Sequence, residues 1–325
     1  MRLLLHAWSL RRPLLGGKLK ASDLPGLAVE LGLQGVEWLD RLLPSYDPQE
    51  WSELGRLSRE AGLGPGGLSL PLPLEVGPVR LAEQVDRAKR LLGQAPRLGV
   101  RTVRVGLGGG PRRWPGQVMR GLEGLRSRSA REARPLGGLT RLAWRVHGLA
   151  GGGVPSVAKL PPRASELDLQ SAAWLLLPLA RQAQALDLDL CLENHWGLTS
   201  HPEDLSTLVD LVWRAGLESR EGQGATLGVC LDLGNWPVQV DPATAAQLLA
   251  SKVTHVHVKL LSPQARAEAQ PRAFAAQLEA LRQAGYQGAF SLEYEGPGPA
   301  ESGLSAGVEL MRQLWDESPS RAEVG

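Results

Sequence analysis

Short apolar runs alternate with longer amphipathic segments from one end of the chain to the other. The short runs are rich in Leu, Val and Thr, as buried strands are, and the longer segments repeat their apolar residues at helical spacing. The predicted strands are Leu3–Trp8, Val36–Leu39, Gly67–Leu70, Thr102–Gly106, Leu188–Glu193, Thr226–Leu231, Val253–Val258 and Ala289–Tyr294. The predicted helices are Ser22–Leu31, Pro48–Ala61, Val79–Leu92, Leu167–Leu186, Pro202–Ala215, Pro242–Ala250, Arg272–Ala284 and Ser302–Trp315.

Local start and stop signals support these helices. Pro202 and Pro242 stand at first-turn positions, where a missing N–H costs nothing, and Gly62, Gly216 and Gly285 follow predicted helix ends. Eight βα units with strands that are apolar throughout favour a (β/α)8 TIM barrel, with an open doubly wound sheet as the alternative. The length of 325 residues fits a single TIM-barrel domain over residues 1–325.

One connection is far longer than the others. It runs from about residue 107 to 166, after the fourth predicted strand, and so belongs to the C-terminal face of a barrel. Residues 101–163 hold thirteen Lys or Arg and two acidic residues, a net charge of +11; the whole chain carries +2, which leaves −9 elsewhere. We expect either that Arg112–Arg145 forms a lid with arginines for an anionic substrate group, or that it is a tolerated surface insertion.

Composition narrows the class of protein. Hydrophobic residues make up 43% and charged residues 22% of the chain, as in soluble globular proteins. Two cysteines, Cys191 and Cys230, do not make a disulfide framework, and Met1–Leu10 is interpreted as a strand, not a signal peptide. No stretch is apolar for the roughly 18 residues that a membrane helix needs. We therefore expect a cytoplasmic protein.

Ionisable residues end the last four predicted strands. Glu193, Asp232, His257 and Glu293 each follow a run of apolar residues. A carboxylate in such a place is costly to bury unless it is paired or bound to a metal, and the carboxyl ends of barrel strands converge on one mouth. Three carboxylates and one imidazole suit Mn²⁺, Mg²⁺ or Co²⁺, and Zn²⁺ is also compatible.

The phrases around these residues resemble a known family. They are Leu192-Glu193-Asn194-His195-Trp196-Gly197, Leu231-Asp232-Leu233-Gly234-Asn235, His255-Val256-His257-Val258-Lys259 and Leu292-Glu293-Tyr294-Glu295-Gly296, with Gly35-Val36-Glu37 as an earlier match. In order and spacing they are similar to the xylose isomerase-like TIM barrels of the sugar phosphate isomerase and epimerase group. The resemblance implies that Glu193, Asp232, His257 and Glu293 bind one divalent metal and that the two glutamates are the catalytic acid and base.

Two positions depart from that resemblance. Leu260 stands where the family commonly has Asp, and Asn235 stands where several epimerases have His. Leu260 cannot provide the polar side chain that steadies the seventh strand or the substrate in the family. Asn235 makes it less certain that the substrate contacts of those epimerases apply to this chain.

Residues near the four predicted ligands are candidates for binding substrate. This set comprises His195, Trp196, Asn235, His255, Lys259 and Glu37. His255 shares a strand face with His257 and is the alternative ligand; we prefer His257 because it lies nearer the strand end. The indole of Trp196, like that of Trp236, either stacks on a sugar or fills the barrel mouth.

These features predict a metal-dependent isomerase or epimerase of a sugar, sugar phosphate or inosose-like polyhydroxy carbonyl compound, acting through a metal-stabilised enediolate. The alternatives are a dehydratase of the same family, a nuclease like endonuclease IV, and a non-catalytic ligand-binding barrel. A nucleic-acid partner is disfavoured, because endonuclease IV needs many histidines for its zinc ions and this chain has six. The expected partner is a small carbohydrate, and a homo-oligomer is compatible with the sequence.

Overall fold

The computed structural model describes residues 1–74, 78–107, 160–218, 225–261 and 269–316. Within them, eight parallel strands form a closed barrel in which each strand pairs with the next and the eighth pairs with the first. The strands are β1 Arg2–His6, β2 Val36–Leu39, β3 Gly66–Pro71, β4 Val100–Gly106, β5 Asp189–Glu193, β6 Gly228–Asp232, β7 Val253–Leu260 and β8 Ala289–Tyr294. The (β/α)8 prediction is confirmed, and the open sheet is excluded.

Helices follow the strands in sequence. They are α1 Arg11–Leu15, α2 Leu24–Glu30, α3 Pro48–Glu60, α4 Pro78–Gln94, α5 Glu166–Ala185, α6 Pro202–Leu217, α7 Pro242–Leu249, α8 Ala269–Gln283 and α9 Ala300–Asp316. Several begin where the sequence supplies a cap. Asp47 accepts a hydrogen bond from the Gln49 amide at 2.8 Å before α3, and Asp241 accepts one from Thr244 at 2.9 Å before α7.

The predicted elements differ from the observed ones mainly at their ends. The first strand was predicted to reach Trp8, but β1 ends at His6, and Trp8 lies in the 3₁₀ turn Ala7–Leu10. The turn begins there because Nδ1 of His6 accepts the Trp8 amide at 3.2 Å. The short helix α1 was not predicted, because five residues are too few to establish a helical period.

Most of the long connection lies outside the described residues. This holds for residues 108–159, and therefore for the predicted lid Arg112–Arg145. The end of the connection is fixed to α6, where Asp204 accepts hydrogen bonds from Nε of Arg163 at 2.6 Å and from the Ala164 amide at 2.9 Å. α5 begins just after this contact, with Ser165 as its cap, whose hydroxyl accepts the Asp168 amide at 3.2 Å.

The core is continuous from the barrel interior to the helices that surround it. Trp38, Trp51, Phe274 and Phe290 are among its largest fully buried side chains. Among the described helices, none combines the length and apolar character needed to cross a bilayer.

Alternation along the strands places polar side chains inside the barrel. Residues two apart on a strand share a face, so each predicted ligand has a neighbour one layer deeper on the same strand. The deeper layer holds Cys191, Cys230, His255 and Ser291, all buried. The four predicted ligands lie above it, at the carboxyl ends of β5 to β8.

Candidate metal centre

The four predicted ligands converge at the barrel mouth. One potential ligand atom from each of Glu193, Asp232, His257 and Glu293 lies within 4.8 Å of those of the other three. Nδ1 of His257 is 2.8 Å from Oε1 of Glu193 and 3.7 Å from Oε2 of Glu293. All four residues are buried. An arrangement this compact could surround a single ion.

Asp232 is held by hydrogen bonds on its backbone and on one carboxylate oxygen. Its amide donates to Oδ1 of Asn194 at 2.6 Å, and Nδ2 of Asn194 donates to its carbonyl at 2.9 Å. Oδ1 of Asp232 accepts the Gly234 amide at 2.8 Å, whereas Oδ2 is buried, makes no hydrogen bond among the described residues and has Nζ of Lys259 at 3.5 Å. This oxygen lies among two further carboxylates and an imidazole, a donor set that divalent cations prefer, so the residues present fit a metal.

A carboxylate orients the imidazole of His257. Oε1 of Glu37 lies 2.9 Å from Nε2 of His257, on the side of the ring away from Glu193. Glu37 also contacts Nε2 of His255 at 2.7 Å and accepts the Ser69 hydroxyl at 2.7 Å. Burial would lower the pKa of His257, but Glu37 and Glu293 raise it above its usual value. With Glu37 accepting at Nε2, Nδ1 is the nitrogen that a metal would bind in place of a proton.

Charge and burial act in opposite directions on this buried cluster. Burial alone would raise the pKa of Glu37, but His257, His255 and His6 outweigh it and hold that pKa well below its usual range. Burial lowers the pKa of His255, only partly opposed by Glu37. Glu37 therefore stays ionised and His255 neutral.

Lys259 lies among three carboxylates. Its Nζ is 3.5 Å from Oδ2 of Asp232, 3.7 Å from Oε1 of Glu293 and 3.8 Å from Oε1 of Glu295. Burial would lower the pKa of Lys259, but these carboxylates raise it above its usual value. The lysine therefore remains a cation at the floor of the mouth.

Arg104 is a site residue that the sequence analysis missed. It lies on β4, and Nη2 of its guanidinium donates to Oε2 of Glu193. Strand alternation gave a signal, because Thr102, Arg104 and Gly106 share one face of β4. The sequence analysis looked for ionisable residues at the ends of apolar runs. Arg104 was missed because it lies two residues before the end of β4.

The remaining predicted substrate residues line the mouth or lie below it. Asn235, which follows β6, is buried with neither amide atom hydrogen-bonded among the described residues. His195 and Trp196 are half-buried and stack edge to face with 6.0 Å between ring centroids. Burial, with Arg104 and Lys259, holds the pKa of His195 well below its usual range, so the imidazole is neutral.

Glu37 and His255, by contrast, lie behind His257 and bond to each other. These contacts favour a positioning role over the substrate contact predicted for them. His257 meets both glutamates, and this contact favours it over His255 as the ligand.

Trp236 and Trp8 are each held by a hydrogen bond from the indole nitrogen. Nε1 of Trp236 donates to Oε1 of Gln277 at 3.2 Å, which fixes that indole against α8. Trp8 donates at 2.7 Å to Oε1 of Glu295, a residue missed in the sequence. Burial raises the pKa of Glu295 to about 7, against the opposing charge of Lys259.

The fold and this site define a closed parallel barrel with a candidate metal site at its mouth. The chain matches the family described as xylose isomerase-like TIM barrel over residues 25–314. It therefore belongs to that family. A comparison with curated protein sequences finds no match.

Solved structures share the barrel at low sequence identity. An L-ribulose 3-epimerase superposes with a TM-score of 0.65 at 14% identity, covering 99% of this chain and 97% of that one. A D-psicose 3-epimerase with D-tagatose, from Clostridium cellulolyticum H10, gives 0.62 at 13% identity, covering 97% and 99%. The IolI protein with a bound zinc atom gives 0.62 at 13% identity, covering 98% and 99%. The similarity extends over nearly the whole of each chain.

Proposed function

We propose that this protein is a divalent-metal-dependent isomerase or epimerase of a polyhydroxy carbonyl compound: a sugar, a sugar phosphate or an inosose-like ring. One observation carries the proposal above the others. Three carboxylates and an imidazole meet within 4.8 Å, and one oxygen of Asp232 is buried there with no hydrogen bond among the described residues, only Nζ of Lys259 at 3.5 Å. A divalent ion would bind that oxygen together with the other three ligands.

The metal would be held by Glu193, Asp232, His257 and Glu293. Their three carboxylates and one nitrogen suit Mn²⁺, Mg²⁺ or Co²⁺, with Zn²⁺ also compatible. When bound, such an ion polarises a carbonyl oxygen and stabilises the negative charge of an enediolate.

Glu193 and Glu293 would move the proton. They lie at or next to the carboxyl ends of β5 and β8, and their nearest carboxylate oxygens are 2.8 and 3.7 Å from Nδ1 of His257. A carbon acid placed between them presents one face to each carboxylate, so one glutamate removes the proton beside the carbonyl and the other returns one. Return to the opposite face gives an epimer, and return to the neighbouring carbon gives an isomer.

The residues around the mouth would bind the hydroxyl groups of the substrate. Within the described residues, the amide N and O of Asn235 make no hydrogen bond, so they are available to donate to and accept from a hydroxyl. Neutral His195 can either donate or accept a hydrogen bond. Trp196 offers an apolar face for C–H groups, and Lys259 a positive charge for an alkoxide oxygen. Two of the structural neighbours are sugar 3-epimerases, which supports a carbohydrate as the substrate.

The experiment is proton exchange in deuterated water. The purified protein, loaded with Mn²⁺, Co²⁺, Mg²⁺ or Zn²⁺, is incubated with a panel of ketoses, their phosphates and inososes, and products are read by NMR and mass spectrometry. We expect deuterium at the carbon beside the carbonyl and a new isomer, both abolished by chelation. Loss of water from the product would identify a dehydratase instead. No exchange with any metal and substrate, while the metal is bound, would leave a binding barrel.

Glu309→Gln is a matched control for variants at the mouth. Glu309 is exposed on α9 and is not among the residues that meet at the mouth, so this change alters charge without removing a site residue. The same control serves every glutamate variant below.

A further inference from the structure

Arg104 occupies a place built for its guanidinium. A β-carbon at Gly106, two residues further along β4, would lie 2.9 Å from Nη1 and 3.2 Å from Cζ of Arg104. A side chain at position 106 would therefore push the guanidinium away. The glycine leaves the space in which Arg104 reaches Glu193.

The two oxygens of Glu193 are divided between two partners. Oε1 lies 2.8 Å from Nδ1 of His257, among the predicted ligand atoms, whereas Oε2 accepts from Nη2 of Arg104. The Arg104 side chain is only 15% exposed. A charge-assisted hydrogen bond in so shielded a place holds its carboxylate strongly.

The local charges show what Arg104 does to a cation site. The carboxylates of Glu193, Asp232 and Glu293 carry three negative charges, and Arg104 and Lys259 are the lysine and arginine side chains that pair with them within the described residues. If His257 is counted as neutral, the form in which a histidine binds a metal, these five residues carry a net charge of −1; without Arg104 the net charge would be −2. The arginine thus removes half of the charge that would attract a divalent ion and also holds an oxygen of one ligand.

We infer that Arg104 is a positioning residue that weakens divalent-metal binding at this centre, so that the ion is exchangeable. The inference rests on the proposed function, because it needs Glu193, Asp232, His257 and Glu293 to bind the metal. On this inference, metal affinity depends on a residue of β4 as well as on the four ligands.

The test is the metal dissociation constant of Arg104→Met, measured by calorimetric titration of the chelator-treated protein with Mn²⁺. We expect binding at least about tenfold tighter than wild type, because a neighbouring positive charge is gone. Arg104→Lys, which keeps that charge, should remain within about threefold of wild type. The control is Arg101→Met on the same strand, since Arg101 pairs with Asp187 and Asp189 away from the mouth.

Two further measurements keep the inference falsifiable. Gly106→Ala should displace the guanidinium without removing its charge and tighten Mn²⁺ binding by a smaller factor than Arg104→Met. In the presence of chelator, Arg104→Met should melt at a lower temperature than Arg101→Met, because its carboxylates lose a counter-charge.

The outcomes separate the two claims. Unchanged or weaker Mn²⁺ binding in Arg104→Met, with wild type binding normally, would overturn the role of Arg104 and leave the proposed function standing. No Mn²⁺ binding by wild type or any variant would overturn both.

Discussion

Glu37 and His257 are 220 residues apart in sequence, yet Oε1 of the first lies 2.9 Å from Nε2 of the second. Glu37 is fully buried and is not one of the four converging ligands. It works through the ring of His257, because a proton held on Nε2 leaves Nδ1 as the nitrogen that can bind a metal. The contact thus connects the second strand with a site made by the last four.

Glu37→Gln should weaken metal binding by about 10- to 100-fold, as expected when a carboxylate that supports a histidine ligand is lost. The amide has nearly the same shape, so the barrel should still fold. Calorimetric titration with Mn²⁺ measures the effect, with Glu309→Gln as the control. Affinity equal to that of the control would show that Glu37 does not orient His257 for a metal.

Asp232→Asn should release the bound ion. Oδ2, which makes no hydrogen bond among the described residues, is the oxygen we assign to the metal, and an amide is a much poorer ligand for a divalent cation. Elemental analysis of protein purified with excess Mn²⁺ and then desalted gives the metal content. Asp241→Asn, at the exposed cap of α7, is the matched control. Full occupancy in Asp232→Asn would remove Asp232 from the ligand set.

Glu293→Gln should slow deuterium exchange into substrate by about 10²- to 10⁴-fold, the usual contribution of a general acid or base. Exchange is followed by NMR at Mn²⁺ concentrations that saturate the variant, so that weaker metal binding is not mistaken for lost catalysis. Glu193→Gln should show a similar decrease. If either variant exchanged at the wild-type rate, that glutamate would not be the base or the acid.

Asn235→Ala should raise KM by about tenfold while leaving the melting temperature within about 2 °C. Its two amide atoms are buried without hydrogen bonds among the described residues, so truncation removes no such bond from the folded protein. It does remove groups available to a substrate hydroxyl. Steady-state kinetics and thermal unfolding measure the two effects. A large fall in melting temperature with an unchanged KM would indicate a structural role instead.

The order of the elements was open to prediction from the sequence because it depends on local periodicity. The ends of Val36–Leu39 and Ala289–Tyr294 were predicted to the residue. The predicted boundaries were wrong where a side-chain contact ends an element, as at the end of the first strand. At Trp8, the hydrogen bond from its amide to His6 turned the chain out of the strand.

The roles of the predicted substrate residues stay predictions, as do the single domain over residues 1–325, the cytoplasmic location and a homo-oligomeric state. The structure nevertheless divides the substrate set by position. Asn235, His195, Trp196 and Lys259 lie about the mouth, whereas Glu37 and His255 form a buried layer behind His257. Strand alternation predicts which residues point into the barrel, but it does not predict which of two such residues lies deeper below the mouth.

The sequence by itself determined which side chains end the barrel strands, because apolar runs that finish on Glu193, Asp232, His257 and Glu293 have only one mouth at which to meet. Only the tertiary structure decided which charged side chains pair with those residues. Arg104 reaches Glu193 across 89 residues of chain, and Glu37 reaches His257 across 220. Such contacts depend on barrel closure and strand register, which bring distant residues together in pairs that the local sequence pattern does not specify.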